Sequence, residues 1–138
     1  MLEARRVAEQ LERAVSDLFR AFNRRDVEEV ASLCAEGVRF EAATAEFAGR
    51  PSVYEGREGM RDYFADVERV WEDLLITPRR IAARGDQALA IGRVFARSRE
   101  LGLRDLPVAW RMRTEDGLFA WIRVYEDRLA ALRDWPPA

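Results

Sequence analysis

"AWRMRTEDGLFAWIRVYEDRL", Ala109–Leu129, is the stretch whose reading decides the fold. Apolar and polar residues alternate up to Thr114, break at Glu115-Asp116-Gly117, and alternate again from Leu118. Two runs of period two joined across an Asp-Gly pair predict a β-hairpin. On its first strand Leu106, Val108, Trp110 and Met112 share one face, and Arg111 and Arg113 take the other. The second strand puts Leu118, Ala120, Ile122 and Val124 on a small apolar face. Phe119, Trp121, Arg123 and Tyr125 lie opposite. Successive side chains of a strand point to opposite sides, and both faces cannot be core when helices cover one of them. The aromatic-and-arginine face is therefore expected outside. Tyr, Trp and Arg there suit a protein interface, so Arg111, Arg113, Phe119, Trp121, Arg123 and Tyr125 form the expected homodimer face.

Two further strands precede the hairpin, "LLITPRRIAA" and "QALAIGRVFARS", separated by "RGD". Upstream the period changes. Val7, Leu11, Val15, Leu18 and Phe22 recur every three or four residues and predict a first helix. "NRRD" ends it. Asp26 with Glu29 three residues later resembles a capping box and starts a second helix. Val27, Val30, Ala31 and Cys34 form its buried stripe, and Gly37 stops it. "VRFEA" reads as a short strand and Ala43–Ser52 as a loop. A third helix follows "YEG", with Met60, Phe64, Val67 and Trp71 on one stripe and Tyr63 beside it. "DRLAALRDW" closes the chain as a short helix. Helices first, then consecutive antiparallel strands, indicate an α+β fold in one domain over residues 1–138.

Composition narrows the chemistry. All 23 basic residues are arginine; lysine and histidine are absent. That removes a Schiff-base lysine, an imidazole base and a histidine-bound metal. The single Cys34 cannot make an intrachain disulfide or a multi-thiolate zinc site, and its inward place predicts a structural thiol. No metal or other cofactor is expected. The net charge of -2, with no basic stretch standing clear of acids, argues against nucleic acid. No apolar run approaches the roughly 18 residues that span a bilayer. The first residues lack the apolar centre of a secretion signal, and a cytoplasmic location is the default expectation.

With these elements in order, "AFNRRDVEEVASLCAEGVRFEA", "YEGREGMRDYF", "AIGRVFAR" and "VAWRMRTEDGLFAWIRVYEDRLAAL" resemble the SnoaL-like group of the NTF2-like superfamily, relatives of polyketide cyclases and ketosteroid isomerases. The similarity runs from about Val15 to Leu132. It implies a cone of curved antiparallel sheet covered by about three helices, a pocket at the open end, and frequent homodimers. The catalytic sets of the group do not carry over. Where ketosteroid isomerases place a tyrosine, an aspartate base and an aspartic acid donor, this chain has Leu18, Ala42 and Ala109. Where epoxide-hydrolase relatives place their Asp-Arg-Asp set, tyrosine and asparagine, it matches the arginine with Arg93. Phe95, Val124, Phe40 and Ala42 stand at the other positions. The cyclases' histidine has no counterpart, and Glu58 stands where relatives often carry one, at a helix start that favours a negative charge.

The expected ligand pocket comprises Arg93, Phe95, Tyr54, Tyr63, Phe64, Trp71, Val108, Trp110 and Val124. On Gln87–Ser98 the bulky set Leu89, Ile91, Arg93, Phe95 and Arg97 is expected to face inward, opposite Ala88, Ala90, Gly92 and Ala96. A charge there is costly unless paired. Arg93 then anchors a ligand anion, orients a base, or pairs with a structural acid such as Glu41 or Glu126. Glu41, Glu46, Tyr54, Tyr63 and Glu126 are the remaining candidates for proton transfer. Three functions stay open: a cofactor-free isomerase, cyclase or hydrolase acting on an apolar oxygenated molecule; a non-catalytic binder of such a molecule; and a dimeric scaffold with a filled pocket.

Overall fold

A computed structural model describes residues 2–42 and 52–137. The elements run α1 (Leu2–Arg24), α2 (Val27–Leu33), β1 (Cys34–Ala42), β2 (Val53–Glu55), α3 (Gly56–Val70), β3 (Asp73–Arg84), β4 (Gln87–Ser98), β5 (Gly102–Glu115), β6 (Leu118–Tyr125) and α4 (Arg128–Leu132). The six strands form one mixed, curved and unclosed sheet in the order β2-β1-β6-β5-β4-β3. All pairs are antiparallel except β1 with β6.

The hairpin forms as its turn chemistry dictates. Asp116 and Gly117 both take positive φ, 52° and 79°, which matches the right-handed twist of the flanking strands. Helix α1 lays Leu11, Val15, Leu18, Phe19 and Phe22 against the inner face of the sheet. Helix α2 starts at Asp26, whose carboxylate accepts from the Glu29 amide at 3.2 Å. It is shorter than its apolar stripe suggests. Cys34 caps it and opens β1, still wholly buried, and Gly37 lies inside that strand. Strand β2 falls where the alternation is too short to read.

Two side chains after the α1 stripe fix the edge of the sheet. Asn23 Nδ2 donates to the Ile76 carbonyl at 2.9 Å, and its Oδ1 accepts from the Ile76 amide at 2.8 Å. The amide thus occupies an open backbone position on edge strand β3. Arg25, at φ 55°, donates to the carbonyls of Trp71 and Glu72 and pairs with Glu68 at 3.0 Å. Asn23→Ala strands both Ile76 groups and is expected to cost about 2 kcal/mol, read as a shift in the urea midpoint at unchanged slope.

Two facings differ from the alternation reading. On β4 the small residues face inward: Ala88, Ala90, Val94 and Ala96 belong to the core, and Gly92 is buried with them. Space there is taken by large side chains from α1 and β5, as in the Phe19–Trp110 pair with ring centroids 4.8 Å apart. Bulky partners leave room only for small ones, so Arg93 and Phe95 are turned out. On β6 a bulge intervenes. Arg113 pairs with Trp121 but Thr114 pairs with Phe119, so Ala120 is the extra residue. The added residue flips what precedes it, and Phe119, 1% exposed, joins Ile122 and Val124 in the core. Phe119 is therefore not on the outer face.

Candidate functional site

The space between α1, α3 and the sheet holds an interior cavity. Leu18, Phe19 and Phe22 of α1 border it on one side and Tyr63 of α3 on another. Phe40, Leu74, Ile76, Val94, Trp110, Ile122 and Val124 form the sheet wall. Only about 20 Å³ admits the centre of a water molecule, although the recess with its mouth encloses about 420 Å³ of space free of atoms. That central space suits about one water. Edge-to-face rings do the filling: Tyr63 packs on Phe40 at 4.7 Å, on Tyr54 at 5.4 Å and on Phe64 at 5.4 Å. Leu74, half-buried, is the most exposed of the bordering residues.

Of the expected pocket residues, Tyr63, Trp110 and Val124 border the cavity. Tyr54, Phe64, Trp71 and Val108 are buried in the surrounding core. Tyr54 Oη donates to Asp66 Oδ2 at 2.8 Å. Arg93 and Phe95 correct the expectation: both lie on the outer side, where Arg93 Nε donates to Asp105 Oδ1 at 2.8 Å. Neither Glu41 nor Glu126 is its partner. Leu18, Phe40 and Val124, at positions where the resemblance implies reactive groups, border the cavity with side chains that carry no titratable proton.

The polar inventory of the cavity is small. Among the described residues that border it there is no carboxylate and no arginine. Among the described residues, Tyr63 and Trp110 are the two bordering ones whose side chains carry a hydrogen-bond donor. Neither side chain makes a hydrogen bond among the described residues, and neither donor is among the wholly buried polar atoms left without a partner, which are Arg111 Nε and Arg128 Nε. Burial pushes the Tyr63 phenol well above its ordinary range, with Arg25 pulling weakly the other way. At neutral pH it is a donor and not a base. The Cys34 thiol is pushed up to about 12 by the same desolvation, opposed by Arg57, and is a structural thiol.

The other candidates lie elsewhere. Glu41 Oε2 accepts from Trp121 Nε1 at 2.6 Å, so the tryptophan is tied within the chain. Glu41 and Glu126 border a separate open depression with Arg123 and Tyr125. Glu58 pairs with Arg61 on the surface. Glu46 lies outside the described residues. Among the described residues no group of three or more potential metal ligands occurs, and no helix is long and apolar enough to cross a membrane.

The expected dimer face is largely engaged in internal contacts. Arg113 Nη1 donates to Glu115 at 2.7 Å, and the Arg123 guanidinium lies 4.5 Å over the Tyr125 ring. Arg111 is buried beneath the C-terminal segment. It donates to the carbonyls of Ala131 and Arg133 and to Gln87 Oε1, with Trp135 stacked at 5.0 Å. Together with Arg128, which donates to the Gly92 carbonyl at 3.0 Å, this straps α4 over Leu89 and Ala109. Alternation shows which way Arg111 points but cannot show that a later helix covers it.

A family model for the SnoaL-like domain matches residues 15–122. The chain belongs to the SnoaL-like family. Among solved structures, this SnoaL-like protein is similar to an NTF2-like protein of unknown function from Burkholderia pseudomallei K96243, at 18% identity over 88% of this chain and 93% of that one, TM-score 0.75. TerC, co-crystallized with polyporic acid, matches at 20% identity over 86% and 92%, TM-score 0.74. An LEH-like epoxide hydrolase of M. tuberculosis matches at 17% over 91% and 89%, TM-score 0.71. Similarity at this level carries the fold, which is NTF2-like, and leaves activity to the site itself. Among curated proteins none matches the chain.

Proposed function

We propose that this SnoaL-like protein binds a small, predominantly apolar molecule that presents an acceptor oxygen, such as a ketone, quinone or ether, in the cavity between α1, α3 and the sheet. One observation carries the reading: Tyr63 and Trp110, each with a side-chain donor that makes no hydrogen bond among the described residues, border a recess whose other described lining is apolar. An acceptor oxygen on a ligand gives such a donor a partner away from bulk water, which a bare hydrocarbon cannot do. Apolar walls with a few placed polar groups are the usual build of a small-molecule site.

Binding is favoured over acid-base turnover because no carboxylate among the described residues borders the cavity to take a proton at carbon or activate a water. A raised phenol can hydrogen-bond a carbonyl but cannot serve as a base near neutrality. TerC, a similar structure, was co-crystallized with polyporic acid, which supports the same class of guest here. The small central space requires side chains near the mouth, Leu74 first, to move when a ligand of a dozen atoms enters.

Thermal-shift measurements with 1-tetralone, tetralin and 1-naphthoate test the reading. The ketone is expected to raise Tm by several degrees at saturating concentration. Tetralin, which keeps the shape but lacks the oxygen, is expected to bind about tenfold more weakly. The carboxylate is expected to give no shift, because no cation among the described residues borders the site to offset its desolvation. Equal shifts for ketone and hydrocarbon would remove the two donors from the account.

A further inference from the structure

The recess has one seam that is held by hydrogen bonds as well as by packing. Helix α1 contributes Leu18, Phe19 and Phe22 to its border, and β3 contributes Leu74 and Ile76. Asn23, the residue after Phe22, ties these two elements together through the amide and the carbonyl of Ile76, at 2.8 and 2.9 Å. Arg25 holds the same end of α1 to the chain entering β3, through the carbonyls of Trp71 and Glu72. On its other edge β3 is paired with β4, Ile76 opposite Val94, which also borders the recess. Ile76 is thus fixed on both edges of its strand. The half-buried Leu74 can rotate its side chain, but the backbone at Ile76 cannot recede without losing both bonds to Asn23.

Much of the remaining border is built from rings. Phe19 packs on Trp110 at 4.8 Å, Phe22 on Phe40 at 6.0 Å and on Tyr63 at 6.1 Å, all tilted or edge-on. Interlocked rings form a dense wall that resists expansion. We infer that the recess selects benzo-fused, flat ketones over saturated ring ketones of the same skeleton, and that Asn23 sets this selection by holding the α1–β3 seam closed. The inference rests on the cavity reading above and narrows its ligand class. A fused aromatic ring is one ring-plane thick and enters where side chains at the mouth give way. A saturated ring puckers out of its plane and has to push α1 from β3, which a packed and bonded seam opposes. The border rings also offer a flat π-face edge-on contacts that a saturated ring does not return. Asn23 itself does not border the recess, so it is a positioning residue that acts through Ile76.

Calorimetric titration with 1-tetralone and trans-1-decalone, which share the ten-carbon fused skeleton and the ketone, tests it. The parent is expected to bind 1-tetralone at least about tenfold more tightly than the decalone. Asn23→Ala is expected to bring the ratio within about threefold, chiefly by tightening the decalone. Asn23→Asp keeps the acceptor for the Ile76 amide and loses the donor to its carbonyl, and is expected to fall between. Ala31→Gly, at a buried position of α2 that does not border the recess, lowers stability without touching the seam and is expected to keep the parent's ratio. Tyr63→Phe is expected to weaken both ketones alike and also to keep it. Equal affinity of the two ketones in the parent would overturn the inference and leave the cavity reading standing. A ratio unchanged in both Asn23 variants, or lost equally in Ala31→Gly, would overturn the role of Asn23. Absence of binding by either ketone would remove the cavity reading and this inference with it.

Discussion

Gly92→Ala is expected to lower stability by about 3 kcal/mol or more, with a fall in Tm on the order of 10 °C, the largest effect anticipated for a single methyl in this protein. A Cβ at Gly92 would overlap the Thr77 carbonyl oxygen and come within 2.8 Å of Pro78 Cα. Both are backbone atoms of the neighbouring strand, so no side-chain rotation relieves the clash. The close approach arises where β3 breaks register between Pro78 and Arg80, opposite Gly92. A bulge there tightens the local twist, and only a residue without a side chain lets the two backbones meet. Gly37 is the internal control. A Cβ there meets nothing within 4 Å. Gly37→Ala is expected to stay within about 0.5 kcal/mol of the parent. Equal losses at the two sites would show that strand glycine in general, and not the β3 approach, is responsible.

The second large effect is alkaline. The Cys34 thiol rises from an ordinary 9.0 to about 12 because burial disfavours the thiolate. The folded state thus holds this proton more tightly than the unfolded state. Below the unfolded value the stabilisation is fully present, and it is lost as pH climbs through the folded value. Over the window from about 9 to about 12 the loss is on the order of 4 kcal/mol. The buried Tyr63 phenol is shifted in the same direction and adds a loss of the same sign. Urea unfolding of the parent and of Cys34→Ala, at mildly and strongly alkaline pH, separates the two. Cys34→Ala is expected to cost about 1 kcal/mol near neutrality from the lost sulfur packing, yet to lose less stability on alkalinisation than the parent. Identical pH slopes would show that Cys34 ionises freely in the folded protein.

How much of this was legible follows from what each residue's environment depends on. Helix α1, α3 and the inner face of β5 were readable because their apolar spacing is long and regular: Leu106, Val108, Trp110 and Met112 point as alternation predicts. The β4 facing was not, because side-chain size within the strand does not decide which face has room for it. Whether Arg93 or Val94 turns inward is set by Phe19 and Trp110, which arrive from other elements and leave room only for alanines, a glycine and a valine. Phe119 was misplaced by a bulge at Ala120 that leaves no mark on composition. The outward direction of Arg111 was visible, but its cover of α4 and Trp135 was not. Asn23 carried the one overlooked hint: an amide directly after an apolar stripe, where a strand edge needs both a donor and an acceptor.

The site shows the same division. Tyr63, Trp110 and Val124 could be named from pattern and resemblance, and they border one cavity. The anchoring role expected of Arg93 could not survive the reversal of its strand face. What replaces it, a phenol and an indole N–H without partners, depends on the absence of nearby acceptors, which no local pattern reports.

Calorimetric titration of 1-tetralone into the parent protein, Tyr63→Phe and Trp110→Phe tests the central claim most directly. The account predicts measurable binding to the parent, a loss of about tenfold in Tyr63→Phe from one hydrogen bond removed, a loss at least as large in Trp110→Phe, which also removes ring packing, and the parent's fold in both. No binding to the parent, or equal affinity in all three proteins, would contradict it.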